Sequence, residues 1–235
     1  MDEIIDEQPP PRTLILFSDY ACPLSYLGKV AMDRYAKWAI FPVDTEYRLF
    51  DLYNYIRSPD GDLDRTLDLA EEDYFLEVQE SAKVLNEQLN LVSNLQSPGV
   101  VDSYKAHKVA YYVKKKYSEE EFERYHDAIF EARWQEGRDI SRSSVLKTIG
   151  TTVGLSSSDI QDAIDDFELG EELNTVFQKR QRTRLPVSPS TVYQELSVQG
   201  VIPFQTISQL VASGKGHPGD EMGAGWFRYR DYFEV

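Results

Sequence analysis

Three consecutive segments near the start of this 235-residue chain leave little choice of architecture. Thr13-Leu14-Ile15-Leu16-Phe17 is an unbroken apolar run of strand length. Apolar or small residues then recur at Leu24, Leu27, Gly28, Ala31, Tyr35 and Trp38, a spacing that places them on one face of a helix. Pro42 ends that segment, after which Val43, Thr45, Tyr47 and Leu49 alternate with Asp44, Glu46 and Arg48, the pattern of a half-buried strand. Strand, helix and strand in this order predict a right-handed β-α-β unit with parallel strands. The fold class is therefore α/β, with the helix covering one face of a sheet.

The rest of the chain divides by composition. Residues 1–12 are acidic and end in Pro9-Pro10-Pro11, which predicts a flexible tail. Residues 13–72 hold the β-α-β unit and an exposed polar excursion from residue 51, with Pro59-Asp60-Gly61 as a turn. Residues 73–185 read as helix almost throughout. Ala106, Val109, Ala110, Val113 and Tyr117 form one stripe, and Phe122, Tyr125, Ile129, Phe130 and Trp134 another. Ser141 and Ser157 are candidate N-caps and Gly154 a helix end. Residues 186–235 return to mixed structure. Ser188-Pro189 has the form of a helix start closed by Gly200; Val201–Ile207 reads as a strand containing Pro203, and Leu210-Val211-Ala212 as its pairing strand. Residues 213–235 are broken by glycines and receive no assignment.

Charge narrows the partners. Twenty-five Lys and Arg face 40 Asp and Glu, a net charge of −15. Such a surface repels nucleic acid and anionic lipid, so neither is expected as a partner, and it suits a high-salt, halophilic cytoplasm. A single cysteine excludes an internal disulfide and points to a reducing, cytoplasmic location. No run approaches a membrane span, and the acidic N-terminus differs from a basic-then-apolar secretory signal. The three histidines, His107, His126 and His217, are scattered without ligand spacing, so no metal site is expected. No glycine loop follows a strand and opens a helix, and no Gly-x-Ser-x-Gly element is present.

That single cysteine, Cys22, falls between the first strand and the first helix, followed by Pro23 at a position suited to the first helical residue. A sulfur there feels the positive end of the helix, which favours thiolate, and is expected to face solvent. Ser25 stands where a dithiol motif would carry its second sulfur. No residue can then resolve a mixed disulfide, which leaves monothiol exchange, isomerisation by reversible adducts, or sulfenic acid formation. Ser25 could also donate a hydrogen bond to the thiolate. The alternative for Cys22 is a small buried hydrophobe. His107 is a candidate proton donor or thiolate partner, or else a satisfied structural histidine; His126 sits in an aromatic slot and reads as structural. Tyr20 and Tyr26 flank the turn as cleft walls or as ordinary core aromatics, and Gly28 allows close approach to the helix.

Phe17-Ser18-Asp19-Tyr20-Ala21-Cys22-Pro23-Leu24-Ser25-Tyr26-Leu27-Gly28-Lys29 is similar to the active-site segment of the DsbA superfamily, usually Asp-aromatic, Cys-Pro-x-Cys, then Tyr-x-Gly. Ala106-His107 matches the end of an Asn-Thr-x-x-Ala-His signature, with Asp102 and Ser103 replacing its first two residues. Gly200-Val201-Ile202-Pro203-Phe204 is similar to the strand start holding the cis-proline. Over residues 13–212 the chain resembles the FrnE-like branch, related to 2-hydroxychromene-2-carboxylate isomerases and kappa-class glutathione transferases. The resemblance implies a thioredoxin fold with a large all-helical insertion. It implies catalytic roles for Cys22, Ser25 and His107, and substrate contacts from Tyr20, Pro23, Tyr26, Ile202 and a cis-Pro203. No tightly bound cofactor is implied, but glutathione or another low-molecular-weight thiol is, with a small thiol or disulfide-containing substrate and a homodimer common for such folds. Three functions stay open: a monothiol oxidoreductase or isomerase through Cys22, an isomerase- or transferase-like enzyme acting through a bound thiol, and a binding protein that keeps the cleft without turnover.

Overall fold

The computed structural model describes residues 13–39, 43–182, 188–193, 196–213 and 227–228. β1 (Thr13–Ser18), α1 (Pro23–Trp38) and β2 (Asp44–Leu49) form the predicted unit, with β1 and β2 parallel and Thr13 opposite Asp44. β1 is central and buries both faces. Leu14 and Leu16 join the main core with Leu27 and Met32 of α1, while Phe17 packs with Phe50 and Val192 in a smaller cluster. A continuous apolar run is what such a strand requires.

Between the parallel strands and the rest of the sheet lie a short 3-10 helix at Asn54–Ile56 and α2 (Leu69–Leu89), α3 (Tyr104–Lys116), α4 (Glu119–Trp134), α5 (Ser143–Thr152), α6 (Ser157–Asp165) and α7 (Phe167–Arg182). α2 and α4 begin with reciprocal capping boxes, Asp68 with Glu71 and Ser118 with Glu121, each satisfying two otherwise orphaned backbone donors. The two core stripes of α3 and α4 are buried as their spacing predicts: Ala106, Val109, Phe122, Tyr125, Ile129, Phe130 and Trp134 are fully covered. The caps differ by a residue or two from the sequence reading. Ser156, not Ser157, caps α6, and α5 starts at Ser143 while Ser141 bonds Asp139. Gly150 lets α5 meet α6, since a Cβ there would lie 1.9 Å from Ile160 Cδ1.

The excursion after β2 is less exposed than its polarity suggests. Asp51, Tyr53, Ile56 and Arg57 are buried, with Arg57 held between the carboxylates of Asp51 (2.5 Å) and Asp102 (2.8 Å). Two carboxylates and a carbonyl on one guanidinium satisfy a charge that could not otherwise be buried.

The largest departure lies after α7. Ser188-Pro189 opens no helix; β3 (Ser190–Tyr193) follows directly, and β4 (Leu196–Gln199) pairs with it antiparallel. The sheet order is β2-β1-β3-β4-β5, with β5 at Phe227–Arg228. Ser-Pro resembles a helix start because both residues also serve turns, and β3 is buried on both faces, so no polar alternation marks it. The strand expected over Val201–Ile207 and its partner over Leu210–Ala212 are not formed; from Phe204 both belong to α8 (Phe204–Ser213), with the Pro203 carbonyl accepting the Ile207 N–H at its start. Gly200, at φ +87°, does end an element, but that element is β4. His217, the acidic tail and most of residues 213–235 lie outside the described residues.

Candidate active site

Cys22 is the N-cap residue of α1, in extended conformation, with Pro23 in the first turn as expected. Its exposure is not as expected: the residue is only 4% accessible, and its Sγ donates to the Ser188 carbonyl at 3.4 Å. Burial pushes the thiol up from 9.0 to about 11. The Ser25 hydroxyl and the N–H groups of Ser25 and Leu24 pull it down, as a helix start should, while Asp19 adds to the rise. The helix-end effect is present and loses to desolvation. A solvent-presented thiolate is therefore corrected to a buried thiol.

The cis peptide among the described residues joins Ser188 to Pro189, not Ile202 to Pro203. Pro189 packs on α1 at Gly28, where a Cβ would come within 3.3 Å of the ring, which explains the glycine. Ile202 is buried and Pro203 starts α8. Pro203 shares its apolar surroundings with a strand proline, but the segment leads into a helix, where a proline is ordinary.

Ser25 is fully buried, and its hydroxyl turns toward Ser188. The two Oγ atoms lie 2.5 Å apart, and the Asp19 N–H donates to Ser25 Oγ at 3.2 Å and Ser188 Oγ at 3.0 Å. The position where a dithiol motif carries its second sulfur is thus one member of a serine pair tying α1 to the start of β3.

Beneath this pair lies Asp19, which the motif contains but whose role no spacing rule announces. Its Oδ1 accepts the Ala21 N–H (2.7 Å) and the Ser103 hydroxyl (2.6 Å), and its Oδ2 accepts the Leu52 N–H (2.7 Å). Burial opposes its charge, but His107 and these donors outweigh it and hold Asp19 below the usual carboxylate range. His107 Nε2 lies 3.2 Å from Asp19 Oδ1, off a good hydrogen-bond line; neither ring nitrogen has an aligned partner. Its ring stands 4.8 Å from that of Tyr20, fully buried rather than lining an open cleft.

Tyr20 and Tyr26 belong to the core. The Tyr20 hydroxyl and His126 Nδ1 share a hydrogen bond at 2.7 Å, and Trp134 Nε1 donates to the Tyr20 carbonyl at 2.9 Å. Tyr26 stacks on Phe130 and accepts from Gln135 Nε2. Pro23 is buried beside Cys22. A groove of about 250 Å³ does run between the sheet and the insertion, along the edge of β2, lined by Tyr47, Leu49, Tyr111, Lys114, Leu173 and Val176. It takes no residue from the Cys22 turn. No group of three metal-binding side chains occurs among the described residues, and no described helix is long and apolar enough to cross a membrane.

Sequence reasoning found Cys22, Ser25 and His107 but missed Asp19, Ser103 and Ser188. Ser103 was visible as the replacement in the Ala-His signature; Ser188 was read as a cap.

A search of curated protein sequences found no match. Among solved structures the chain is similar to a "probable DsbA oxidoreductase" of Streptomyces coelicolor, at 17% identity over 86% of this chain and 89% of that one, with a TM-score of 0.69. It is similar to a 2-hydroxychromene-2-carboxylate isomerase, at 13% identity over 86% and 93%, TM-score 0.64. It is also similar to the cytosolic disulfide reductase DsbM of Pseudomonas aeruginosa with GSH, at 14% identity over 84% and 93%, TM-score 0.52. At these identities the likeness is one of fold. The DSBA-like thioredoxin domain model matches residues 13–212, and the chain belongs to that family, whose members are thiol oxidoreductases or isomerases.

Proposed function

We propose that the chain is a thiol-dependent isomerase or transferase that works through the sulfur of a bound small thiol such as glutathione, with Cys22 as a structural thiol. The carrying observation is the state of Cys22: 4% exposed, donating its proton to the Ser188 carbonyl, and held as a thiol to about pH 11. Dithiol exchange is ruled out by Ser25. The solved relatives include an isomerase and a reductase with GSH, which supports small-thiol chemistry on this fold. In such a reaction the bound thiol loses its proton and its sulfur adds to an electrophilic carbon. Expulsion of the same sulfur returns an isomer, and expulsion of another group leaves a conjugate; no oxidant or reductant is consumed. A reducing compartment rich in small thiols suits this chemistry.

The test compares wild type with Cys22→Ala in glutathione-dependent conjugation of an aryl chloride, where the thiolate displaces chloride. Retention of turnover in Cys22→Ala supports the reading; loss of turnover with the fold intact overturns it. Loss would favour the second reading, monothiol exchange by Cys22, which is supported by the sulfur's place at the helix start beside the Leu24 and Ser25 N–H groups.

A further inference from the structure

Among the described residues, two buried cations each touch a pair of carboxylates. Lys29 lies between Asp33 (2.6 Å) and Asp127 (2.5 Å), and Arg57 between Asp51 and Asp102. Lys108 donates to the Ile164 carbonyl with Asp165 and Asp166 nearby. Arg133, at the end of α4, is 2% exposed and pairs with no described carboxylate. Its guanidinium donates to the carbonyls of Gly99 and, at 3.5 Å, Arg138, and its Nε has no partner. A guanidinium buried without a contacting anion is costly, and burial lowers this one to about 10, with the more distant Asp139 opposing only in part.

A second orphan meets it at the same point. Gln79 of α2 is 3% exposed; its Nε2 donates to the same Gly99 carbonyl at 2.9 Å, while its Oε1 has no partner. One backbone carbonyl thus occupies donors from Arg133 and Gln79 and leaves an acceptor beside them empty-handed. Charged and amide donors around an unused acceptor match a carboxylate with an adjacent amide N–H, the chemistry of a peptide C-terminus. The segment above is thin. Gly99 is half-buried, Val100 is exposed, and a Cβ on Gly99 would meet nothing within 4 Å.

Trp134 links the guanidinium to the backbone of the cysteine turn. The guanidinium lies 5.1 Å from the ring of Trp134, whose Nε1 holds the Tyr20 carbonyl two residues before Cys22. We propose that Arg133, with Gln79, is the recognition point for the peptide-type carboxylate of the small thiol, which takes the place of the Gly99 carbonyl. This assignment rests on the bound-thiol reading and names the part of the ligand that is held.

Calorimetric titration tests it with three thiols: glutathione, its glycyl ethyl ester, and cysteamine, which lacks a carboxylate. Wild type should bind glutathione and lose roughly thirtyfold or more in affinity for the ester and for cysteamine. Arg133→Met should lose a similar factor for glutathione and no longer distinguish it from the ester, with Arg133→Lys between. Equal binding of glutathione and its ester by wild type overturns the assignment without any substitution, whatever the variants do to the fold. Retained tight glutathione binding by Arg133→Met overturns it too. If wild type binds no thiol at all, the bound-thiol reading itself falls, and this assignment with it.

Discussion

Raising the pH asks directly whether the fold holds Cys22 as a thiol. Its pKa moves from 9.0 to about 11, a shift worth ~3 kcal/mol between the two protonation states. At neutral pH the thiolate fraction is then about a hundredfold below that of an unperturbed thiol, because each unit is a factor of ten. Alkylation by iodoacetamide should rise through a midpoint near 11. The same shift appears in stability. Because the folded state favours the protonated thiol, the contribution is fully present below 9.0 and is lost as pH rises through about 11. At about pH 10.5 the linkage integral gives a loss of ~2 kcal/mol that Cys22→Ala does not suffer. Urea denaturation of both proteins at neutral pH and at this pH isolates the term, since every other ionising group is common to them. An alkylation midpoint at or below about 8.5, or an unchanged gap between the two proteins, would refute the dominance of burial over the helix-end effect.

Asp19→Asn should cost about 3 kcal/mol in urea denaturation, because an amide replaces a buried carboxylate that accepts three hydrogen bonds. Asp19 is held below 3.8, so it stabilises the fold above that pH and the effect disappears as pH falls through the lower folded value; the variant should show a flatter acid limb, and parallel limbs would reject the assignment. Arg57→Met leaves Asp51 buried without its cation and should destabilise by about 3–5 kcal/mol, read as a lower thermal midpoint. Gly150→Ala should cost about 1–3 kcal/mol through the clash with Ile160, and Ile160→Val should recover part of it; no recovery would place the strain elsewhere.

The parts of the fold that were legible are those whose pattern is local. β1 carries a continuous apolar run and α1 and β2 a periodicity, each matching its burial except at Trp38, which the α1 stripe includes but which is exposed at the helix end; the α3 and α4 stripes are likewise covered. β3 was not legible, because a short central strand buried on both faces shows no period and follows Ser-Pro, which also starts helices. α8 was hidden by β-branched Val201, Ile202 and Thr206 around a proline. In the site, Cys22 was legible in place but not in protonation: position follows from the turn, whereas desolvation depends on Ser188 and on segments far along the chain. Asp19 was quoted within a motif without a role, since its partners at residues 52, 103 and 107 come together only on folding.

Asp19 has a consequence for how this protein can be altered. Its carboxylate receives Ser103 and faces His107, both from the insertion, while its N–H anchors the serines of the thioredoxin core. The helical segment is therefore no removable ornament. Excising it, or grafting a shorter one, would unlatch the cysteine turn from below, and only a replacement that reproduces the first turns of α3 would leave that turn in place.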